Sequence, residues 1–313
     1  MKVLCLWLMV MVSLPVFAAS HAFLPPPGKT LLFIGQDRDT IAHYVAGMGH
    51  VPGGNMLYTS IQKIDGLDSV KDYGSGPMDG TALLNTYPNS VLQIGLYMVG
   101  GLDQTLDGTY DDNLRKLAQW IKDANRPVYL RIGYEFDNPA NDYDPALYQH
   151  AYRYVVDFLR KEGVTNAAYV WHTQCNEGTQ WMDWYPGNDY VDWFGVSIYS
   201  SQQIPTASHF LRIARKHGKP LMICESSTWG LYTLRAKMDW FNHLFRFIDG
   251  QKIGAFCYID SDWDKLPMYV RAKIGDARVE ENGEIKKLWL DEIEQDRYLK
   301  ASPELFRLLG WGQ

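Results

Sequence analysis

PVYLRIGYEFDN, residues 127–138, is a strongly apolar run that ends on a carboxylate. Its β-branched and aromatic residues read as a strand over 127–134. Side chains alternate along a strand, so Tyr129, Arg131, Gly133 and Glu135 fall on one face and Leu130, Ile132 and Tyr134 on the other. Large apolar groups on both faces are the pattern of a strand covered on both sides. An Arg and a Glu sharing a face of such a strand either point into a polar mouth or pair with each other in a buried bridge.

Working outward, KPLMICESS at 219–227 has the same form and ends on Glu225. Six more runs of this kind lie at 31–35, 56–59, 91–97, 167–172, 192–199 and 254–259. Helical punctuation separates them. Asp144 followed by Pro145 caps a helix over 146–160 whose stripe is Leu147, Ala151, Tyr154, Val155 and Phe158. Asp111 or Asp112 opens another to about Asp123, with Leu114, Leu117 and Ile121 inward; further helices run over 206–217, closed by Gly218, over 235–248, and from Ser302 and Pro303 to Gly310. Eight doubly covered strands alternating with helices predict an α/β fold, a single (β/α)8 TIM barrel. Segment 265–283 follows no pattern, and reads as a rim loop or an extension.

The chain has 313 residues, 46% hydrophobic and 21% charged, which is a globular profile. No repeat, linker or charge run divides it, so residues 23–313 are expected to form one catalytic domain. The start, MKVLCLWLMVMVSLPVFAAS, has one positive charge at Lys2, a short apolar run and a small-residue cleavage pattern. It reads as a secretory signal peptide over 1–18, and the protein as secreted or periplasmic, with no membrane anchor. Removing Lys2 takes the formal charge from −6 to −7, so nucleic acid is not an expected partner. Cys175, Cys224 and Cys257 remain, too few for a disulfide framework, and a monomer is expected. Aromatic residues make up 14%, and composition leaves open whether they are core or binding surface.

On a (β/α)8 barrel, chemistry gathers at the C-terminal ends of the strands. Those ends read Gln36 and Asp37, Tyr58, Tyr97, Tyr134 and Glu135, Trp171 and His172, Tyr199, Glu225, then Asp260 with Trp263 beyond. Asp37 is also placed to cap the next helix. Two carboxylates at one mouth are what glycoside hydrolysis requires: one protonated, to donate to the leaving oxygen, and one ionised, to attack or to activate water. Arg131 and Tyr199 are the available donors for the ionised partner. Strands four and seven face each other across a narrow interior, so a separation of about 5–5.5 Å, and with it retention of configuration, is expected. Trp171, His172 and Trp263 either stack on sugar or fill the mouth, and Trp181, Trp184 and Tyr185 either extend that platform or pack against the short fifth helix. The scattered histidines offer no metal site, no strand supplies an interior lysine for a Schiff base, and no phosphate loop or dinucleotide motif occurs, so no cofactor is expected.

RIGYEFDN resembles the Arg-x-x-His-Glu-Met-Asn segment of glycoside hydrolase family 26, the β-mannanase family of retaining (β/α)8 glycosidases. The resemblance implies Glu135 as acid/base, with Arg131 as electrostatic support. YPGNDYVDWFGVSIY, residues 185–199, is similar to that family's Tyr-Pro-Gly-Asp-x-Tyr-Val-Asp run, which places Tyr199 where a tyrosine orients the nucleophile; KPLMICES places Glu225 as that nucleophile. YVWHTQCN resembles the strand-five tryptophan motif through Trp171 and Asn176, and Trp263-Asp264 the strand-eight tryptophan. Together with the strand-end and loop residues Gln36, His172 and Trp184, the expected substrate-binding residues are Tyr134, Trp171, Asn176, Trp263 and Asp264. The family's histidine before the acid/base, which members acting on mannan use near the sugar 2-position, is here Tyr134. The expectation is a secreted retaining endo-glycosidase on a β-linked polysaccharide. β-Mannan is the first guess, with β-1,3-xylan, mixed-linkage glucan, galactan or an inactive glycan-binding barrel as alternatives.

Overall fold

A computed structural model describes residues 23–312. The expected signal peptide, residues 1–18, lies outside the described residues. Eight strands close into a barrel: β1 (Thr30–Gly35), β2 (Gly54–Ser60), β3 (Val91–Tyr97), β4 (Val128–Ile132), β5 (Ala167–Thr173), β6 (Trp193–Ile198), β7 (Leu221–Ser226) and β8 (Ala255–Ile259). Each pairs in parallel with the next, and β8 pairs in parallel with β1 to complete the ring. Closure leaves these strands no free edge against each other, and the helices cover the outer face, which is why they are apolar on both sides.

The longer helices are α1 (Arg38–Met48), α2 (Gly80–Thr86), α3 (Asp111–Ala124), α4 (Pro145–Lys161), α5 (Ile204–Lys216), α6 (Leu234–Gln251) and α7 (Gly283–Ile293); two short ones lie at Leu102–Leu106 and, within the helix expected near the C-terminus, at Leu305–Leu308. After β5 the helix is replaced by a single 3₁₀ turn, Trp181–Trp184. Asp37 caps α1 by accepting from the amides of Asp39 and Thr40, and Asp144 caps α4 through the amide of Leu147. The inward residues of α3 are Leu114, Leu117 and Ile121 as expected. The stripe expected on α4 is rotated: Leu147, Tyr154 and Phe158 are only partly buried, and Tyr148, Tyr152, Val155 and Leu159 face the barrel. Tyr148 explains this, because its hydroxyl reaches in to donate to the carbonyl of Ile132 at the end of β4.

Inside the barrel, the lower layer is aromatic. Phe33, Tyr129 and Trp193 meet edge to face, and Phe23 and Trp311 close the bottom beneath them. Above this layer the interior turns polar, with Gln93, Arg131, His172 and Ser197 buried on the faces of β3, β4, β5 and β6.

Candidate active site

The alternation expected for residues 127–135 fails at its end. β4 stops at Ile132, and Gly133 and Glu135 both take left-handed conformations, at φ +54° and +50°. Glycine adopts this region freely, but glutamate is held there, and Asn141 supplies the hold by donating to the carbonyls of Tyr134 and Glu135. This turn swings Tyr134 to the mouth beside Glu135, not to the outer face that period-two reading assigns it. Next, Phe136 turns outward and stacks on Trp171 at 4.6 Å.

A second irregularity places Glu225. The register between β6 and β7 slips at Val196/Ser197, so Ser197 pairs with Glu225 and Cys224 is the extra residue. Gln93 reaches across from β3 to donate to the carbonyl of Cys224 at 2.9 Å. Glu225 is thereby turned toward Arg131, whose guanidinium crosses from β4 to pair with Oε1, while Tyr199 donates to Oε2 at 2.6 Å. Arg131 is fully buried. Its guanidinium lies 5.1 Å from the ring centres of both Tyr58 and Tyr134, which partly offsets the burial of two nitrogens that lack hydrogen-bond partners. Gly95 makes room for this group: a Cβ there would come within 2.9 Å of Arg131 Nη2 and 2.6 Å of the Tyr58 ring.

Glu135 is 9% exposed. Ser197 donates to its Oε1 at 2.7 Å and Asn138 to its Oε2 at 3.1 Å. Burial, and then the charge of Glu225, push its pKa up to about 7, against the hydrogen bonds from Ser197 and Asn138. Both carboxylates line one cleft of about 860 Å³ with Gln36, Tyr58, Tyr97, Tyr134, Asn176 and Tyr199.

Several residues expected at the sugar stand elsewhere. Trp171 points outward and is fully buried among Phe136, Tyr185, Phe194 and Phe210, because it takes the odd face of β5. His172 takes the inner face but is fully buried beneath the floor of the cleft. Trp184 packs on Phe136 and donates to the carbonyl of Tyr143. Asp264 accepts from the amide of Gly275 and secures a loop. Trp263 does line the cleft, yet only 2% of it is exposed; its indole nitrogen donates to Ser227, and it supports Trp229 and Tyr269 edge to face. Asn176 lines the cleft and also ties the β4 loop down through the carbonyl of Asp137. Gln36, 2% exposed, is fixed by the carbonyl of Ser75.

The sequence reading missed Trp229, which is 37% exposed beside Tyr199, and Tyr73, Met268 and Tyr269. Trp229 carries a legible signal, an aromatic next to Gly230 just past a strand that ends on a carboxylate. Tyr269 carries none: it belongs to the irregular segment 265–283, whose folding over the mouth is a tertiary matter. Among the described residues no cluster of His, Cys, Asp or Glu is arranged to hold a metal ion, and Cys175, Cys224 and Cys257 are free and buried.

The sequence model of Glycosyl hydrolase family 26 matches residues 110–233. A β-1,3-xylanase of a Vibrio species is 33% identical over 92% of this chain and 70% of its own length. The chain belongs to glycoside hydrolase family 26. A β-1,3-xylanase of an Alcaligenes species is 31% identical over 94% of this chain, again with 70% of the relative covered. The fold agrees with a family 26 β-mannanase structure from Bacteroides ovatus, with a TM-score of 0.65 at 15% identity over 89% of this chain and 93% of that one. This family 26 member is therefore a glycoside hydrolase on a (β/α)8 barrel, and its matched segment contains the β4 turn, Arg131, Glu135, Tyr199 and Glu225.

Proposed function

We propose that this protein is an exported, retaining endo-hydrolase of β-1,3-xylan in which Glu135 is the acid/base and Glu225 the nucleophile. The observation that carries the catalytic reading is the contrast between two carboxyl groups in one cleft. Glu135 is raised to about 7 by burial and by the charge of Glu225, so it holds a proton near neutrality. Glu225 receives an Arg131 nitrogen and the Tyr199 hydroxyl, donors that suit a carboxylate. A Glu225 oxygen attacks the anomeric carbon as the glycosidic C–O bond breaks. The bond's electron pair leaves with the departing oxygen, which takes the proton of Glu135. Glu135, now a carboxylate, removes a proton from water as that water attacks the same carbon, and the ester to Glu225 is released.

The choice of β-1,3-xylan over β-mannan, the sequence-based first guess, is supported by the two relatives above and by Tyr134 in the place of the family's histidine. Tyr134 presents a ring whose own partners are Arg131, Tyr58 and His172. Purified protein is expected to release oligosaccharides from β-1,3-xylan, and little from β-1,4-mannan or mixed-linkage glucan, with the first product in the β configuration by NMR. Glu135→Gln and Glu225→Ala are expected to lose about a hundredfold or more of that activity. Activity of either variant within about tenfold of wild type would sink the assignment of roles, and preferential release from mannan would sink the substrate.

A further inference from the structure

Beneath the cleft floor, a line of buried polar groups joins the surroundings of Glu225 to Glu135. Arg131 Nη1 faces His172 Nδ1 at 3.4 Å; His172 Nε2 faces Ser197 Oγ at 3.0 Å; Ser197 Oγ lies 2.7 Å from Glu135 Oε1. Arg131, His172 and Ser197 are each fully buried, on β4, β5 and β6.

The direction of this line follows from elementary donor counting. Arginine can only donate, so His172 Nδ1 must accept. The imidazole is neutral, because burial and then the adjacent Arg131 charge hold its pKa well below the ordinary value. A neutral ring that accepts at Nδ1 carries its hydrogen on Nε2 and donates to Ser197. Ser197 Oγ, already accepting, turns its own hydrogen to Glu135 Oε1. The reverse polarity, with Oε1 protonated and donating, would leave the buried Ser197 hydrogen facing another donor with nothing to receive it, an unfavourable state for a buried polar group.

We propose that Arg131, His172 and Ser197 form a one-way hydrogen-bond chain that keeps the acidic proton of Glu135 on Oε2, with His172 and Ser197 acting as positioning residues for acid catalysis. The contact to Ser197 is buried, whereas Oε2 meets Asn138 at the partly exposed edge of the cleft, so the chain places the proton on the oxygen nearer the substrate. It persists through both halves of the reaction, because Ser197 donates to the carboxylic acid and the carboxylate alike. The inference rests on Glu135 being the acid/base.

The groups that interact electrostatically with Glu135 limit what else can move its titration. Glu225 raises it and Arg131 lowers it. Tyr199, Tyr134, Tyr269 and Cys224 are each pushed up by burial and stay neutral across the working range. The Ser197 hydrogen bond favours the ionised carboxyl, so its removal raises the pKa of Glu135.

The test is the pH profile of kcat/KM on the polysaccharide that wild type cleaves. In Ser197→Ala the basic limb is expected to move up by about one pH unit, the scale of one lost hydrogen bond to a carboxylate. Polysaccharide turnover is expected to fall about tenfold, while kcat/KM on a dinitrophenyl glycoside, whose departure needs no proton, stays near wild type. His172→Asn withdraws the donor from Ser197 and is expected to move the limb the same way by less. His172→Gln places an amide nitrogen near the former Nε2 and is expected to restore it. This asparagine and glutamine pair carries the test by itself if Ser197→Ala does not fold. A limb that moves by less than about 0.3 unit in Ser197→Ala, or asparagine and glutamine variants that behave alike, would reduce the chain to packing. Glu135→Gln is run alongside: if it keeps polysaccharide activity, the acid/base assignment has failed, whereas its inactivity with unmoved limbs in the other variants refutes the chain alone.

Discussion

Glu135 is strained twice, once in its backbone at φ +50° and once in its carboxyl, which is buried with a second carboxylate across the cleft. The electrostatic part has a consequence for stability. Its folded pKa of about 7 lies above the ordinary value of 4.5. Below pH 4.5 the group is protonated in both folded and unfolded chains and adds nothing. Between 4.5 and 7 the unfolded chain ionises first, so stability falls as pH rises, and above 7 the full penalty remains, about 3 kcal/mol for a shift of that size. Glu135→Gln removes the charge while keeping the shape. It is expected to melt with wild type at pH 4 and clearly above it at pH 8, by scanning calorimetry at both pH values. A variant no more stable than wild type at pH 8 would show that the carboxyl is not raised. Arg131 behaves oppositely, since it is buried with Glu225 as its charge partner and removal of that partner leaves an uncompensated charge.

At the scale of elements, two departures from regular strand geometry put the carboxylates in one place. The β6–β7 bulge aims Glu225, and the left-handed turn after β4 aims Tyr134 and Glu135. The turn depends on Gly133, where φ is +54° and an added Cβ would lie 2.8 Å from the Tyr148 ring on α4. Gly133→Ala therefore meets both backbone strain and a clash with the side chain that anchors α4 to β4. It is expected to cost about 2–4 kcal/mol, measured by denaturant unfolding, and to lower activity by more than the stability loss alone explains. Unchanged activity in folded Gly133→Ala protein would mean that the turn does not position Glu135.

For the molecule as a whole, the barrel divides labour between its ends. The bottom is sealed by aromatic packing among Phe33, Tyr129, Trp193, Phe23 and Trp311, while the mouth carries its aromatics on loops around the charges. Tyr97 at the end of β3 and Trp229 after β7 are 38% and 37% exposed and come from strands on different sides of the mouth. A polysaccharide crossing the carboxylates between them would stack on both. Tyr97→Ala and Trp229→Ala are each expected to raise KM for polymer about tenfold, with effects that add in the double variant, while kcat on a small aryl glycoside changes little. Equal losses on polymer and aryl glycoside would place these rings at the reaction centre instead.

The amino-acid sequence by itself determined the barrel and the identity of the paired carboxylates. Doubly apolar strands need cover on both faces, and in a closed parallel barrel the polar residue ending such a strand has the mouth as its outlet, so Glu135 and Glu225 were legible without coordinates. Helix caps were legible for the same local reason, as Asp37 and Asp144 show. Which aromatics meet the cleft was decided only in three dimensions. Period-two reading places a residue on a face but does not register a bulge or a left-handed turn, and the strand-end position and the family resemblance put Trp171 at the sugar, whereas the odd face of β5 buries it under α5. Tyr269 and Trp229 reach the mouth on loops whose course is set by long-range contacts such as the bond from the Gly230 amide to the carbonyl of Ile274. The link from Arg131 through His172 to Ser197 and Glu135 belongs to the same class, because its members come from three strands and share one line only when the barrel has closed.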